Sequence, residues 1–476
     1  MSVNDILDVG QRGLQTQRQS LSTTSNNIAN ANTPGYSRQK TQLVNLPAQS
    51  INGLTIGSGV EVKKVIRVHD EFVQKQLVDE NQNFGNSKIK AETLNRFEAL
   101  ATQEGSNLSE TINRFFNDFR ELSNNVENPS LRNVVHGSAQ SLVRGFKQMN
   151  DSLELGRREL DLRVGDVANQ INVNAREIAD LNSTIVQSEA RGETPNELYD
   201  RRDMLIRDLA QKVDLQVTED QRGQKTILAG NAVIVQGADH FELTVRRSAA
   251  EGERAAGSMS VFINGSGVPR EITHSIKNGE LGGLMQARDH VINPAMRHLD
   301  KIAYQVTKKV NEIHSEGMGL DGVSNRNFFK ELGDEVEHAA FKFGLSDEIN
   351  ENHEKIATGF GDGAPGDNRA ALAIADIQNE KFLPAGELGG TVLHSVNESL
   401  NNLVAQVGIS TQHETQMFEH QRAIVDQLEN YRQSYSGVSL EEEAVDMIKY
   451  QTVFNASAKA MKVGEDLLDT ILSLKD

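Results

Sequence analysis

Apolar residues recur every seven positions at both ends of the chain. Leu7, Leu14, Leu21 and Ile28 share one heptad position, and Val3, Gly10, Gln17 and Thr24 fill the other seam position. Toward the far end Leu440, Met447, Phe454, Met461 and Leu468 repeat the spacing, with Ala444, Ala458 and Leu472 on the adjoining seam. A stripe this narrow predicts helices that pair in a coiled coil rather than lie on a broad core. An isolated helix of this kind is marginal in water, because packing supplies most helix stability. Each terminal helix therefore needs a partner, and the other terminus is the obvious one. On pattern alone, two ordinary bundle helices are the alternative. The small or polar seam residues Gly10, Gln17, Thr24 and Gln451 imply that the pair also meets further neighbours.

Local signals bound these helices. Ser2 with Asp5 three residues on resembles a capping box. Asn32, Pro34 and Gly35 end the first helix, because Pro cannot donate an N–H and Gly tolerates positive φ. Ser436-Gly437 breaks the chain before the last helix. Ser439 to Glu442 then reads as a second capping box, and Glu441 to Glu443 as a solvated acidic first turn favoured by the helix dipole.

Between the ends the period changes twice. Residues 36–68 read as extended, with Val60, Val62 and Ile66 alternating with polar residues after a Gly-rich turn from Gly53 to Gly59. From about 70 to 212 the pattern is helical. Leu108, Ile112, Phe115, Phe119, Leu122 and Val126 form one face. After Pro129 a stripe from Leu160 to Ile185, interrupted by Asn174, predicts a helix of roughly 60 residues, about 90 Å long at 1.5 Å per residue. Thr194-Pro-Asn-Glu197 predicts the next helix start, with Thr194 as cap, Pro195 in the first turn and Glu197 closing the box. From 213 to 277 the period is two, in short runs separated by Gly230-Asn231, Gly237 and Gly265. Helix returns at Gly279, residues 317–390 are mixed, and a long helix runs from near Val392 to about Tyr435.

The expected fold is mainly α with a small inserted β domain, in which the N- and C-terminal regions together build a long antiparallel helical bundle or coiled coil. The expected units are 1–35 with 437–476 as a terminal coiled-coil assembly domain, 36–212 with 278–436 as a helical bundle, and 213–277 as the β insert.

Composition narrows the function. The formal charge of −18 over 476 residues argues against nucleic acid and anionic lipid surfaces as partners. No apolar run approaches the ~20 residues that span a bilayer, so no membrane partner is expected. With no cysteine, disulfides, thiolate metal sites and Cys nucleophiles are excluded. The N-terminus has neither a basic segment nor an apolar one, so cleavable secretion is not expected.

Candidate chemistry is sparse. His413-Glu-Thr-Gln-Met-Phe-Glu-His420 superficially resembles a zinc-binding helix, but its second His falls at i+7, two turns or ~10.5 Å away. His290 and His298 fail similarly. Gly359 to Asn368 lacks the ligand spacing of a calcium loop and reads as a turn-rich connection. No phosphate-binding glycine motif or nucleophile elbow occurs. Arg246-Arg247 and Arg157-Arg158 read as solvated pairs. No cofactor, metal or catalytic residue is expected.

Asn26-Asn27-Ile28-Ala29-Asn30 followed by Thr33-Pro34-Gly35-Tyr36 resembles the N-terminal motif of bacterial flagellar rod, hook and hook-associated proteins. Gly279 to Gly322, Gly366 to Asn379 and the ending from Ser436 resemble, within that group, the hook-associated family of the hook–filament junction. The resemblance implies a structural adaptor, not an enzyme, joining hook to filament and lying outside the cell. It implies export as an unfolded chain through the flagellum's own channel, and terminal segments that order on assembly. The implied partners are further copies of itself in a ring or helical layer, the hook protein, the second junction protein next to the filament, the export apparatus and a cytoplasmic export chaperone. The implied assembly residues are the motif and the heptad positions Leu7, Leu14, Leu21, Ile28, Leu440, Met447, Phe454, Met461 and Leu468. Asn26, Asn27 and Asn30 are expected to bond neighbouring backbone where the chain turns outward, with Pro34 and Gly35 fixing the exit. Plain helix-stop residues are the simpler alternative. Asn311 and His314 are expected to anchor a loop. Other readings are a different axial protein of the same organelle, or an exported enzyme or adhesin that uses the β insert.

Overall fold

The computed structural model describes residues 3–51, 54–102, 108–247, 258–265, 267–360, 366–384 and 392–473. The proposed Ser2–Asp5 capping box, Gly53 and residues 361–365 of the turn-rich loop lie outside the described residues.

Helix α1 (Val3–Ala29) ends where the asparagines and Pro34 withdraw helical hydrogen bonding, and the chain turns into a hairpin. That hairpin pairs β1 (Gln39–Asn45) with β4 (Val60–Arg67), and a smaller one, β2 (Gln49–Ile51) with β3 (Leu54–Ile56), sits at its far end. The expected alternation in β4 fails halfway. Leu43 pairs with Val62 but Gln42 pairs with Lys64, so Lys63 is an extra residue and the register shifts. One such residue flips the following side chains to the other face. Ile66 is therefore exposed, and Val65 and Arg67 turn inward.

Four helices follow: α2 (Glu71–Thr102), α3 (Leu108–Asn124), α4 (Pro129–Ala190) and α5 (Asn196–Lys212). Helix α4 has 62 residues and is capped by Asn128, whose side chain accepts from Ser130 N–H. The polar interruption at Asn174 is buried and donates to Asp208 at 2.6 Å. The cap expected at Thr194 does not form. Helix α5 begins at Asn196 with no side-chain cap, and the Asn196 side chain reaches Val65 O at 3.0 Å instead. A tertiary bond thus replaces the local one.

The β insert folds as two antiparallel sheets. One holds β5 (Leu215–Glu219), β6 (Lys225–Ala229), β7 (Ala232–Gln236) and β8 (Asp239–His240) in sequence order; the other holds β9 (Leu243–Arg247), β10 (Met259–Ile263) and β11 (Arg270–Glu271). Gly230 and Asn231 both have positive φ, the backbone a two-residue hairpin turn demands.

Helix α6 (Gly279–Ala287) continues through a π turn at Arg288–Ile292 into α7 (Asn293–Glu316). The wider turn falls where Pro294 has no N–H to donate. The mixed region holds short elements: β12 (Gly317–Met318) paired with β13 (Gly359–Phe360), α8 (Ala339–Lys342), α9 (Asp347–Glu351), α10 (Arg369–Asp376), and β14 (Leu383–Pro384) paired with β15 (Leu393–His394). Helix α11 (Val396–Ser436) starts on a complete capping box, Ser395 with Glu398, and packs along α2. Helix α12 (Leu440–Ser473) then returns along α1.

The body's core is centred on aromatic rings. Phe115 of α3 meets Phe116, Phe119, Phe328 and Phe329, and Phe119 also meets Phe328; Phe329 meets Phe343, which in turn meets Phe146. All of these rings are fully enclosed. Arg132 is buried beside them and donates to the carbonyls of Val126 and Ile356 and to Thr358 Oγ1.

Candidate assembly interface

Helices α1 and α12 run antiparallel and touch along their length. Small residues let them approach closely. A Cβ at Gly13 would lie 3.0 Å from Ser457 Oγ, one at Gly10 3.4 Å from Met461 Cβ, and one at Gly464 3.0 Å from Leu7 Cδ2. Gly10, Gln17 and Thr24 are buried, and Leu7, Leu14, Leu21 and Ile28 are half-buried. On α12, Met447, Phe454, Met461 and Leu468 are half-buried as well.

Two expectations for α12 are corrected. The second seam is Glu443, Tyr450, Ser457 and Gly464, three residues after Leu440, Met447, Phe454 and Met461 rather than four; Ala458 is half-buried, but Ala444 and Leu472 are exposed. Leu440 is exposed too, because α1 has already ended at that level and the chain has turned away.

The acidic turn is also not simply solvated. Glu443 is 1% exposed. Its Oε1 accepts from Arg38 Nε at 2.5 Å and its Oε2 from Asn27 Nδ2 at 3.0 Å. Arg38 also pairs with Glu442 at 2.5 Å and Asp446 at 3.4 Å, and its own N–H donates to Ser436 O. Glu442 pairs its carboxylate with Arg38 while remaining exposed, and its N–H faces Ser439 Oγ at 3.4 Å; Glu441 is exposed as the solvated reading expects. Asn27 uses its full bonding capacity: besides Glu443 it donates to Gln39 O and accepts from Gln39 N–H and Tyr36 Oη–H, each at 2.9 Å. Burial, followed by Asp200, Glu197 and Glu443, pushes the Tyr36 pKa up to about 12, so its hydroxyl stays protonated and donates.

This knot also grips the body. Ser37 N–H donates to Asp200 at 2.9 Å, and Arg67 holds Asp200 at 3.1 Å and Asp203 at 2.6 Å. Removing one partner of a buried pair costs roughly 3–5 kcal/mol, because the other charge is left uncompensated. A slip of one heptad would put Tyr450 in place of Glu443 and incur that cost. The charges therefore specify register where the apolar seam, repeating every seven residues, does not.

The motif's turn has a Pro–Gly geometry. Tyr36 N–H donates to Thr33 O at 3.2 Å, and Gly35 has φ +81°, as the third position of a type II turn requires. A side chain there would be strained by the backbone and would crowd Met204 Sδ at 3.3 Å. Of the three asparagines, Asn27 alone bonds backbone beyond its own helix. Asn30 donates to Asn26 O and Oδ1 and accepts from Thr33 Oγ1, while Asn26, Thr33 and Pro34 are exposed. Arg38, Asp200 and Glu443 were not read from the sequence as members of this site. The signal available was the three-residue step from Leu440 to Glu443.

Elsewhere, Asn311 exchanges two hydrogen bonds with Phe329 backbone, and His314 is held between Arg326 O and Ala357 N–H. The carbonyl must accept, so Nδ1 carries the proton and Nε2 accepts. Both residues anchor the 326–329 loop. Burial pushes the His314 pKa down to about 4. His413 and His420 are exposed, and among the described residues no group of three or more His, Cys, Asp or Glu could hold a metal ion. Arg158 is solvated, but Arg157 is largely covered and pairs with Glu154 at 2.8 Å. A cleft of about 640 Å³ touches the β insert, where Arg67 and Lys225 are occupied by Asp203 and Glu219. No described helix is long and apolar enough to cross a membrane.

Comparison with known proteins agrees with this anatomy. Residues 94–329 match the flagellar hook-associated protein FlgK helical domain, 7–36 the flagella basal body rod protein, and 431–474 the flagellar basal body rod FlgEFG protein C-terminal region. The chain is 29% identical to flagellar hook-associated protein 1 of Bacillus subtilis, over 98% of this chain and 97% of that one. The chain is thus similar, over nearly its whole length, to flagellar hook-associated protein 1. The Salmonella typhimurium member is 24% identical over 99% of this chain and 100% of its own. The fold is shared with the flagellar hook junction protein FlgK from Burkholderia pseudomallei, with a TM-score of 0.67 at 14% identity, covering 76% of this chain and 100% of that one. The rod-type matches coincide with α1 through Tyr36 and with the end of α11 and α12, the two segments the knot joins.

Proposed function

We propose that this chain is the structural adaptor between hook and filament, and that it assembles through α1 and α12 as a layer of identical copies at the hook tip. The observation that carries this is the paired terminal helices: their leucine, methionine and phenylalanine seams stay half-exposed within one copy. Seams of that kind gain stability when neighbours cover them. The contacts between copies are heterologous, as a ring or helical layer requires.

The working units are 1–35 with 437–476 for assembly, 36–212 with 278–436 as the body, and 213–277 as an accessory insert. The partners are the hook protein on one side and the second junction protein on the other, with the export apparatus and a cytoplasmic chaperone before assembly. The site of action is outside the cell, at the junction of hook and filament. A chain without cysteine is suited to leaving unfolded, because no disulfide has to be opened.

The test is addition to isolated hooks that lack junction proteins, viewed by electron microscopy. The full chain is expected to add a terminal layer, and a chain trimmed of both terminal heptad segments is not. Layers formed by the trimmed chain would remove α1 and α12 from the mechanism.

A further inference from the structure

Beside the Thr33–Tyr36 turn lies a cleft of about 740 Å³, lined by that turn, Asn81 of α2, α5 and the end of α11. Two largely buried arginines line it, Arg207 and Arg432, with side chains 11% and 9% exposed. They share one carboxylate: Glu429 accepts from Arg432 Nε at 2.7 Å and lies 3.8 Å from Arg207 Nε. The other acid in the wall, Asp208, is held by Asn174 and Lys212. Burial, and then the neighbouring Arg432 charge, push the Arg207 guanidinium below its ordinary pKa. Glu429 is the one acid of the cleft wall that these two guanidiniums share, and Arg207 donates besides to Gln74 Oε1 at 2.7 Å.

The acids of the knot lie close by, and Asp203 and Asp200 act on the Arg207 charge. In the knot, Arg38 and Arg67 face Glu442, Glu443, Asp446, Asp200 and Asp203. At its edge Glu441 is exposed and makes no ion pair among the described residues, and the Glu442 side chain is 65% exposed. Neither lines the cleft of its own copy, although Gly437 and Val438 just before them do.

We infer that this cleft is the lateral docking site for a second copy of the chain, receiving the exposed carboxylates at the start of the neighbour's α12. The inference rests on the layer reading above and deepens it. Cleft and acidic edge are two different surfaces of one copy, as a heterologous contact requires. Like-charge contact in the opposite orientation is disfavoured, so the same arrangement sets the direction of packing.

The test uses the full chain on isolated hooks, with layer growth counted by electron microscopy at a series of protein concentrations. E441K is expected to raise the concentration needed for a layer by about tenfold, and R432E to do the same or more. The double variant R432E/E441K, which restores opposite charges across the contact, is expected to recover growth to within about threefold of the unaltered chain. Circular dichroism checks that each variant folds. E441K alters an exposed helix turn, and it decides the matter alone if R432E does not fold. Normal growth by E441K, or a double variant no better than its parents, overturns the contact and leaves the adaptor reading standing. Failure of the unaltered chain to form any layer overturns the adaptor reading, and the contact with it.

Discussion

Phe115 in α3 and Leu14 in α1 are both apolar residues at helical spacing, yet one is fully enclosed and the other half-exposed. Phe115 touches four other rings contributed by α3 and by residues 328–329. Leu14 belongs to a helix pair flanked by the β1–β4 hairpin, which bonds Thr16 and Ser20 of α1 and leaves Leu14 half-buried. The body buries its apolar stripes within one copy, whereas the coil leaves part of its stripes for other copies. The polar knot lies between these regimes. It supplies at one end of the coil the register and attachment that a thin seam of small residues cannot.

The difference can be broken most sharply by matched truncations. Phe115→Ala should destabilise the isolated chain by about 4 kcal/mol, since an enclosed ring leaves a cavity. Leu14→Ala should cost under about 1 kcal/mol in the same denaturant titration, yet weaken layer formation on hooks. Equal losses in the free chain would erase the distinction.

Glu443→Ala tests the knot. It leaves Arg38 facing only Glu442 and Asp446 and removes a partner from Asn27, with an expected loss of about 3 kcal/mol. The loss should appear as faster hydrogen exchange in α1 and α12, while the melting of the Phe115 core stays unchanged. Melting of the whole body at lower temperature would show that the coil and body are one cooperative unit.

His314 gives the body a pH signature of its own. Its folded pKa of about 4 lies below the ordinary His value of 6.5. Between those values the unfolded chain binds a proton that the folded chain does not, so stability falls as pH drops from about 6.5 toward 4. The full contribution is on the order of 3 kcal/mol. Compared with His314→Gln, the unaltered protein should lose its stability advantage through that window in urea titrations. A constant difference across pH would refute the buried neutral His.

The smallest effect should come from Thr194→Ala. Loss of a working N-cap typically costs about 1 kcal/mol, but α5 has no side-chain cap here. The expected change is under about 0.5 kcal/mol.

These contrasts also mark what the sequence reveals. The 62-residue helix from Pro129 was legible because its stripe is long, and the hairpins of the insert because Gly230-Asn231 is strong turn chemistry. The loop-anchoring role of Asn311 and His314 was legible as well. What escaped depended on contacts distant in the chain. Glu443 looks like an ordinary acidic helix start until Arg38, 405 residues earlier, is placed beside it. Thr194 fits a capping pattern, but Asn196 is drawn to β4. Ile66 continues an alternation that the extra residue at Lys63 reverses. In each case a local rule gave way to a tertiary partner.

The most direct measurement is amide hydrogen exchange on the free chain and on hook-bound layers. The account predicts that residues 7–28 and 447–468 exchange far faster than α3 and α4 in the free chain, and become protected in the layer. Body-like protection of those helices in the free chain, or no gain on assembly, would contradict it.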